Sequence, residues 1–231
     1  MTKSLYYLTR SKIEMMEKRK QRYEELRKTD MIEAAEVLFL DSGFEDTKMK
    51  DIAENAGYAK GTLYNYFDSK EDLFTAVVVK ANQKLIKLTK NAIQKKEPGI
   101  SQILAVGKAY HEFTDNFPRY ASLIHEMGEI EQNLWTKPKT KLTENEKAYM
   151  GVNEEYAILF GKVIEQAKQR EEIDKNIPTQ LILISLASMT SGMLRELEHR
   201  NDLLAMNGFK KKEIVEFIFN LIKEALKAEI E

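Results

Sequence analysis

Cysteine is missing from this 231-residue chain, which excludes disulfides, thiolate metal sites and a thiol redox switch, and suits a reducing compartment. Proline and glycine are scarce, at 4 and 10 residues, so long stretches run without a helix breaker. Histidine occurs three times, too few for most multi-histidine metal centres. A net charge is also lacking: 36 Lys+Arg stand against 37 Asp+Glu, so a nucleic-acid or membrane partner would have to be met by a local patch. No run approaches the ~18 apolar residues of a spanning helix, and the apolar patch at 5–8 is too short for a signal-peptide core. The expectation is a soluble cytoplasmic protein.

What fills the chain instead is helix. Lys/Glu/Leu/Ala-rich runs with few β-branched alternations predict an all-α protein. Residues 1–28 are basic, with Lys3, Arg10, Lys12, Lys18, Arg19, Lys20, Arg22, Arg27 and Lys28 against Glu14, Glu17, Glu24 and Glu25, or 9 − 4 = +5. Two readings stand: a solvated, fraying helix, or a basic arm on DNA backbone. From Asp30, with Glu33 at capping-box spacing, Ile32, Ala35, Val37, Leu38 and Leu40 give a broad apolar face, and Gly43 ends it. A short helix over about 48–55 follows, with Thr47 as its candidate N-cap and Met49, Ile52 and Ala53 inward. Ser69 and Asp72 then cap a long helix to about residue 96. Further helices are predicted over about 100–116, 118–133, 143–172 (capped by Thr143 and Glu146), 178–199 and 210–229. No internal repeat or low-complexity tract is present.

The stretch "AGYAKGTLYNYF", residues 56–67, turns the usual rule around. On a helical wheel Leu63 and Phe67 fall together, Lys60 and Tyr64 flank them, and Gly61, Thr62, Asn65 and Tyr66 share the opposite side. That outward set is small, hydrogen-bonding and aromatic, with almost no charge. It suits a helix entering a groove: Thr62 and Asn65 offer hydrogen bonds to base edges, Gly61 lets the backbone approach, and the tyrosine hydroxyls and Lys70 reach phosphates. Two short helices around a tight glycine turn make a helix-turn-helix. On residue chemistry alone a helical hairpin with half-packed tyrosines also fits.

The segment "TKMKDIAENAGYAKGTLYNYFDSKEDLF", residues 47–74, preceded by "AAEVLFLDSGF", resembles the DNA-binding signature of the TetR family of bacterial transcriptional regulators. Thr47, Ile52, Ala53, Gly57, Lys60, Gly61, Tyr64, Tyr66, Phe67, Lys70 and Leu73 fall where that pattern wants them. The resemblance covers about a fifth of the chain. It implies an all-α homodimer: an N-terminal three-helix DNA-binding module with a helix-turn-helix, joined by a long helix to a C-terminal helical effector-binding and dimerisation domain. The corresponding parts are a basic extension (1–28), the DNA-binding domain (29–74) and the remainder (75–231). The implied partners are a palindromic double-stranded operator and a small-molecule effector, with no cofactor, metal or membrane. By resemblance Thr47 contacts phosphate, Lys60, Gly61, Thr62, Tyr64 and Asn65 meet bases or nearby backbone, and Tyr66 and Lys70 clamp phosphates. Two departures stand out: Ala59 replaces the serine common before the Lys-Gly pair, removing a capping hydroxyl worth ~1 kcal/mol, and the arm ahead of Asp30 is longer than usual.

For an effector pocket the candidates are Tyr110, Phe113, Phe117, Tyr120, Met127, Tyr156, Phe160, Met189 and Met193, together with Trp135 and Tyr149. Each is also a plain core candidate. Their number, with adaptable methionines, favours a mostly apolar ligand. His111, His125, Glu126 and Arg195 are candidate polar contacts. The last two helices read as an interface or as internal packing. Ser185, Ser188 and Gly192 form a stripe of small residues, and Ile214, Ile218, Leu221 and Ala225 run beside Val215, Phe219, Ile222 and Leu226, too wide a face for a lone surface helix. The resemblance favours pairing of these helices across a two-fold axis.

A helical di-metal enzyme wants two Glu-x-x-His motifs plus two further carboxylates, and the chain has one, Glu196 with His199. "HEFTD" and "HEMGE" lack the second histidine of a zinc-protease helix, and no Gly-rich phosphate loop is present, so catalysis is not expected. An architectural DNA binder with a plugged core would share the DNA-binding module but not the effector. The expectation is a sequence-specific regulator, a repressor released by its effector.

Overall fold

The computed structural model describes residues 3–227, apart from the side chains of 3–12, 129, 198, 199 and 201. Ten α-helices follow one another: α1 Lys3–Asp46, α2 Met49–Asn55, α3 Lys60–Tyr64, α4 Lys70–Gln94, α5 Ile100–Asn116, α6 Pro118–Thr136, α7 Glu144–Gln169, α8 Thr179–His199, α9 Asn201–Met206 and α10 Lys211–Leu226. A 3-10 turn, Lys139–Lys141, precedes α7. Among the described residues the β-type pairing is one isolated bridge, Ile173 to Lys227.

The chain divides into two compact units, Met1–Val78 with Glu126–Glu146, and Val79–His125 with Lys147–Glu231. The expected boundaries at 28 and 74 therefore fall inside helices. No break separates a basic extension from the first helix: α1 runs through Asp30 without a new N-terminus. The reason is local, since residues 3–42 hold neither glycine nor proline and carry turn-spaced pairs such as Lys20 with Glu24 (3.9 Å). Asp30 does not cap; its carboxylate accepts a hydrogen bond from Tyr58 Oη at 3.2 Å.

α1 turns at Gly43, whose φ of 76° suits a residue without Cβ. Two long-range contacts fasten that turn. Glu126 Oε2 accepts the Phe44 N–H at 2.8 Å, and Lys70 Nζ donates to the carbonyls of Phe44 (2.8 Å) and Thr47 (3.3 Å). The apolar side of α1 is Met31, Ala35 and Phe39, all at most 1% exposed, whereas Val37, expected inward, is 60% exposed. Phe39 meets Phe74 edge-on at 5.1 Å, and Phe44 packs on Phe74 at 4.8 Å.

Elsewhere in this unit, Asp72 N–H donates to Ser69 Oγ (3.2 Å), giving the expected cap of α4. Asp72 Oδ1 also accepts from Thr143 Oγ1 at 2.5 Å. Thr143 and Glu146 form the reciprocal capping box of α7, at 2.8 and 3.1 Å. In the second unit Ile100, Ile103 and Val106 of α5 pack with Phe160, Val163 and Ile164 of α7, Ile182, Leu186 and Leu194 of α8, and Val215, Phe219 and Ile222 of α10. A smaller cluster joins Leu85, Phe113 and Ala121. Glu172 Oε2 accepts the Ile100 N–H at 2.7 Å, so a carboxylate satisfies the N-terminus of α5, and that bond with Arg170 holds the Glu172 carboxyl below its usual range.

Truncating the buried ring at the α1–α4 contact, Phe39→Ala, is expected to cost about 3–5 kcal/mol of stability. Thermal denaturation followed by circular dichroism checks it, and a melting temperature within a degree of wild type would contradict this assignment of the core.

Candidate nucleic-acid interface and buried cavity

α2 and α3 are joined by a turn in which Ala56 N–H donates to Ile52 O and Tyr58 N–H to Ala53 O, both at 2.9 Å. Gly57 occupies it with φ 75°. Ala59 is the N-cap of α3, extended at φ −69° and ψ 145°, and has no side-chain cap bond, as the missing serine implied. The regular part of α3 is shorter than expected: it ends at Tyr64, and tighter bonds from Asn65 N to Thr62 O and Tyr66 N to Leu63 O finish it.

Leu63 and Phe67 are 0% and 1% exposed and fasten α3 to its unit. Gly61, Tyr64 and Asn65 are exposed, and Thr62 and Tyr66 are half-buried. Lys60 Nζ lies 5.7 Å from the Tyr64 ring centre. Thr62, Asn65 and Tyr66 share a shallow cleft with Gln21, Glu24, Arg27 and Lys28 of α1. On its other flank Tyr66 meets a second groove lined by Met16, Arg19, Lys20 and Tyr23. The basic stretch ahead of residue 29 is thus helical and stands beside the outward face of α3. Of its charges, Lys3, Arg10 and Lys12 lie outside the described side chains.

Two residues assigned to phosphate are placed differently. Thr47 is 3% exposed, and its hydroxyl donates inward to Gly43 O (2.7 Å) and Leu38 O (3.3 Å). It does not cap α2, whose N-cap is Lys48. Lys70 is half-buried, with its ammonium on the α1 carbonyls and 4.1 Å from the Phe44 ring centre. Both side chains close the end of α1, because carbonyls left over where a helix turns at glycine need donors.

The second unit holds a partly open cavity of about 260 Å³ between α5, α7, α8 and α10. Its wall includes Ile103, Leu104, Val106, Gly107 and Tyr110 of α5, Tyr156 and Phe160 of α7, Leu186, Ala187, Ser188, Thr190 and Ser191 of α8, and Phe219 and Ile222 of α10, with Leu85 of α4. Tyr110, Tyr156 and Phe160 are therefore at the wall. The other pocket candidates lie elsewhere. Phe113 is core at 0% exposure. Phe117 and Tyr120 stack under Lys84, whose ammonium is 3.8 and 4.9 Å from their ring centres. Met127 belongs to the first unit, where its sulfur faces Thr75 Oγ1 at 4.0 Å. Met189 is 53% exposed, and Met193 packs against the main cluster without reaching the cavity. His125 is half-buried and does not line the cavity; Trp135 is 64% exposed; Tyr149 is core. His111, which burial holds below its usual pKa, sits 3.5 Å from Asp115, also outside the wall. His199, the partner of Glu196 in the lone Glu-x-x-His, lies outside the described side chains. Of the wall residues, Ser188 and Phe219 belong in sequence to stripes that also suit a helix interface.

α8 and α10 each carry an outward apolar stripe. Leu181, Ile184 and Met189 on α8 and Phe217 and Leu221 on α10 are 53–61% exposed. Ser185, Ser188 and Ala225 are exposed on these helices and Gly192 is half-buried. Ile222, expected in an interface, instead lies in the core and cavity wall, and Ile214 and Ile218 lean against that core. The wide face of α10 is thus two stripes, one inward through Val215, Phe219 and Ile222 and one outward.

Among the described residues the structure is helical apart from one bridge, and its tight helix-turn-helix presents hydroxyl, amide and aromatic groups outward, as a groove-reading helix-turn-helix does. Residues 31–77 match the family of bacterial regulatory proteins, tetR family. The uncharacterised HTH-type transcriptional regulator YfiR of Bacillus subtilis is 37% identical over 71 residues, which is 30% of this chain and 35% of that protein, so the chain spans about a third of that relative. The HTH-type transcriptional regulator UidR of Escherichia coli is 25% identical over 172 residues, covering 74% of this chain and 81% of that protein. In fold the chain is similar to the transcriptional regulator FadR of Bacillus subtilis, solved with stearoyl-CoA, at a TM-score of 0.60 and 18% identity over 88% of this chain and 99% of that one. The likeness to the tetR family is thus one of sequence over the DNA-binding segment, residues 31–77, and one of fold over most of the chain.

Replacing Lys70 by Ala is expected to lower thermal stability while leaving the slope of log affinity against log salt unchanged. Lys60→Ala is expected to reduce that slope by about one. Fluorescence anisotropy on DNA across a salt series, with a melt of each variant, separates the two; an altered slope for Lys70→Ala alone would restore it to the phosphate contacts.

Proposed function

We propose that the protein is a homodimeric transcriptional repressor of the cytoplasm, holding a palindromic operator through two copies of α3 and released by a small, mostly apolar effector. The observation that carries this reading is the outward face of α3. Its exposed Gly61, Tyr64 and Asn65 with half-buried Thr62 and Tyr66 leave hydrogen-bonding groups free of charge repulsion at the depth of a major groove. Lys60, and Arg19, Lys20, Arg27 and Lys28 of α1, supply the positive charge that phosphates require. In this assignment the basic part of α1 extends the backbone contacts beyond α3.

Dimerisation is supported by the outward stripes of α8 and α10. Five large apolar side chains more than half exposed on two helices that share the same core are a surface that a second copy covers, with Ser185, Ser188 and Gly192 permitting close approach. The cavity supports effector control over the rival reading of an architectural DNA binder with a plugged core. Its volume lies just under the ~300–1,000 Å³ usual for ligand pockets, which points to a small effector. α4 is one helix with residues in both units. Effector binding would act by population shift, favouring an α4 position in which two recognition helices no longer match the spacing of two half-sites.

Selection of bound fragments from genomic DNA by the purified protein is expected to return a palindrome bound at nanomolar strength and steeply salt-dependent. Weak, sequence-blind binding would favour the architectural rival. On the selected site Asn65→Ala is expected to cost about 1–3 kcal/mol and relax sequence preference; unchanged affinity and preference would refute this placement of the recognition helix. Phe217→Glu puts a charge in the outward stripe and is expected to give a monomer by sedimentation velocity with much weaker operator binding. A dimer surviving that change, and Leu181→Glu with it, would place the interface elsewhere.

A further inference from the structure

Over 13–27 every residue of α1 is exposed. Five large apolar side chains of that stretch, Ile13, Met15, Met16, Tyr23 and Leu26, are 50–67% exposed. Single apolar residues scattered over a surface need no explanation, but these five are not scattered.

At ~100° per residue they fall on one half of the helix, from Arg22 round to Ile13, and Arg19, Lys20, Arg22 and Arg27 fall among them. All the glutamates of the stretch, Glu14, Glu17, Glu24 and Glu25, lie on the other half. One half is therefore basic and apolar without a carboxylate, and the other carries the acids. The first half opens into the groove that Met16, Arg19, Lys20, Tyr23 and Arg27 share with Tyr66, with Glu24 at its edge, 3.9 Å from Lys20. Tyr66 also borders the cleft that holds Thr62 and Asn65. The carboxylate-free face is thus continuous with the outward side of α3.

This pattern discriminates between anionic surfaces. A helix lying in a lipid surface keeps an unbroken apolar face and puts its cations on the polar side. Here Arg19 stands between Leu26 and Tyr23 on the wheel, in the middle of the apolar side chains. Guanidinium groups interleaved with apolar ones match the edge of a duplex, where phosphates alternate with sugars. From Arg27 to Met16 the helix is about 16 Å long, the length of about five base pairs.

We propose that this face is a second, sequence-blind DNA-binding surface, which grips about five base pairs of duplex flanking the half-site that α3 reads. Arg19 and Arg22 take phosphates, and Met16 and Tyr23 lie against the sugars between them. This rests on the reading of α3 as the recognition helix, and it gives the extension a ligand of its own, flanking duplex of any sequence. The acidic half of the helix faces away from that duplex.

Fluorescence anisotropy with the full-length protein compares two duplexes: the palindrome selected from genomic DNA, trimmed to its two half-sites, and the same palindrome with about eight random base pairs on each side. The flanks are expected to raise wild-type affinity about tenfold and to steepen the slope of log affinity against log salt by about three to four, from two phosphates per protomer at ~0.9 each. Arg19→Gln with Arg22→Gln is expected to cut the flanked-to-trimmed ratio to about twofold. Glu14→Gln with Glu17→Gln, on the other half of the helix, is expected to keep it at about tenfold or above. Glutamine is a good helix former, and circular dichroism of each variant checks that α1 persists. Equal wild-type affinity for the two duplexes, or an equal loss of the ratio in both pairs of variants, overturns the proposal. Wild-type binding to phosphatidylglycerol vesicles with no gain from the flanks also overturns it, and assigns the face to an anionic lipid surface. A trimmed palindrome bound no better than random duplex of its length is a different failure: it overturns the recognition-helix reading and the flank assignment with it.

Discussion

The DNA-binding unit depends on how the carbonyls at the end of α1 are satisfied. A helix that turns at glycine leaves acceptors without helical donors and a following N–H without an acceptor. Here Lys70, from the first turn of α4, supplies the donors, and Glu126, from α6, accepts the Phe44 N–H. Thr47 adds its hydroxyl to the Gly43 carbonyl. Two side chains from distant parts of the sequence and one from four residues on thus converge on one turn, and the Phe39, Phe44 and Phe74 rings pack directly under it. The orientation of α1 against α2 and α4, and through α2 that of α3, follows from this junction.

That junction also shows why a motif can be strong evidence for a family and weak evidence for a residue's task. Thr47 and Lys70 stand at motif positions, and a cation three residues past Phe67 is a natural phosphate ligand by its chemistry. In this chain the Lys70 ammonium lies 4.1 Å from an aromatic face and bonds to carbonyls, so its charge already serves the fold. Lys60 differs by its position at the exposed start of α3. Under the proposed function the charge for DNA would come from Lys60 and α1.

Much of the fold was legible because it is written in local terms. The caps at Ser69 and Thr143, the glycine turns at 43 and 57, and the inward pair Leu63 and Phe67 are all short-range signals, and the structure carries each of them. The start of α1 was misread because Asp30 and Glu33 have capping-box spacing, yet nothing ahead of them breaks the helix. Sequence spacing states that a cap is available, not that a helix needs one. Among the pocket candidates only Tyr110, Tyr156 and Phe160 reach the wall. Aromatic and methionine residues are used alike for core, surface and cavity, and which they serve is fixed by neighbours far away in sequence: Met127 by α4, Phe117 by Lys84, Met189 by exposure to solvent.

α10 makes the same point with one helix. Its apolar positions looked like a single face too broad for a monomer, and the breadth was real, but it divides. Val215, Phe219 and Ile222 are at most 5% exposed and form core and cavity wall, whereas Phe217 and Leu221 point outward. On α8 Leu186 and Thr190 turn inward while Leu181, Ile184 and Met189 turn outward. Each helix therefore has one side on the cavity and one on the surface assigned to the second protomer. A side chain displaced by a ligand at Phe219 moves the same helix that carries Phe217, and close packing transmits that displacement rather than absorbing it. Under the proposed function, ligand and partner contacts would fall on the same two helices, and what the cavity holds would bear on the protomer geometry.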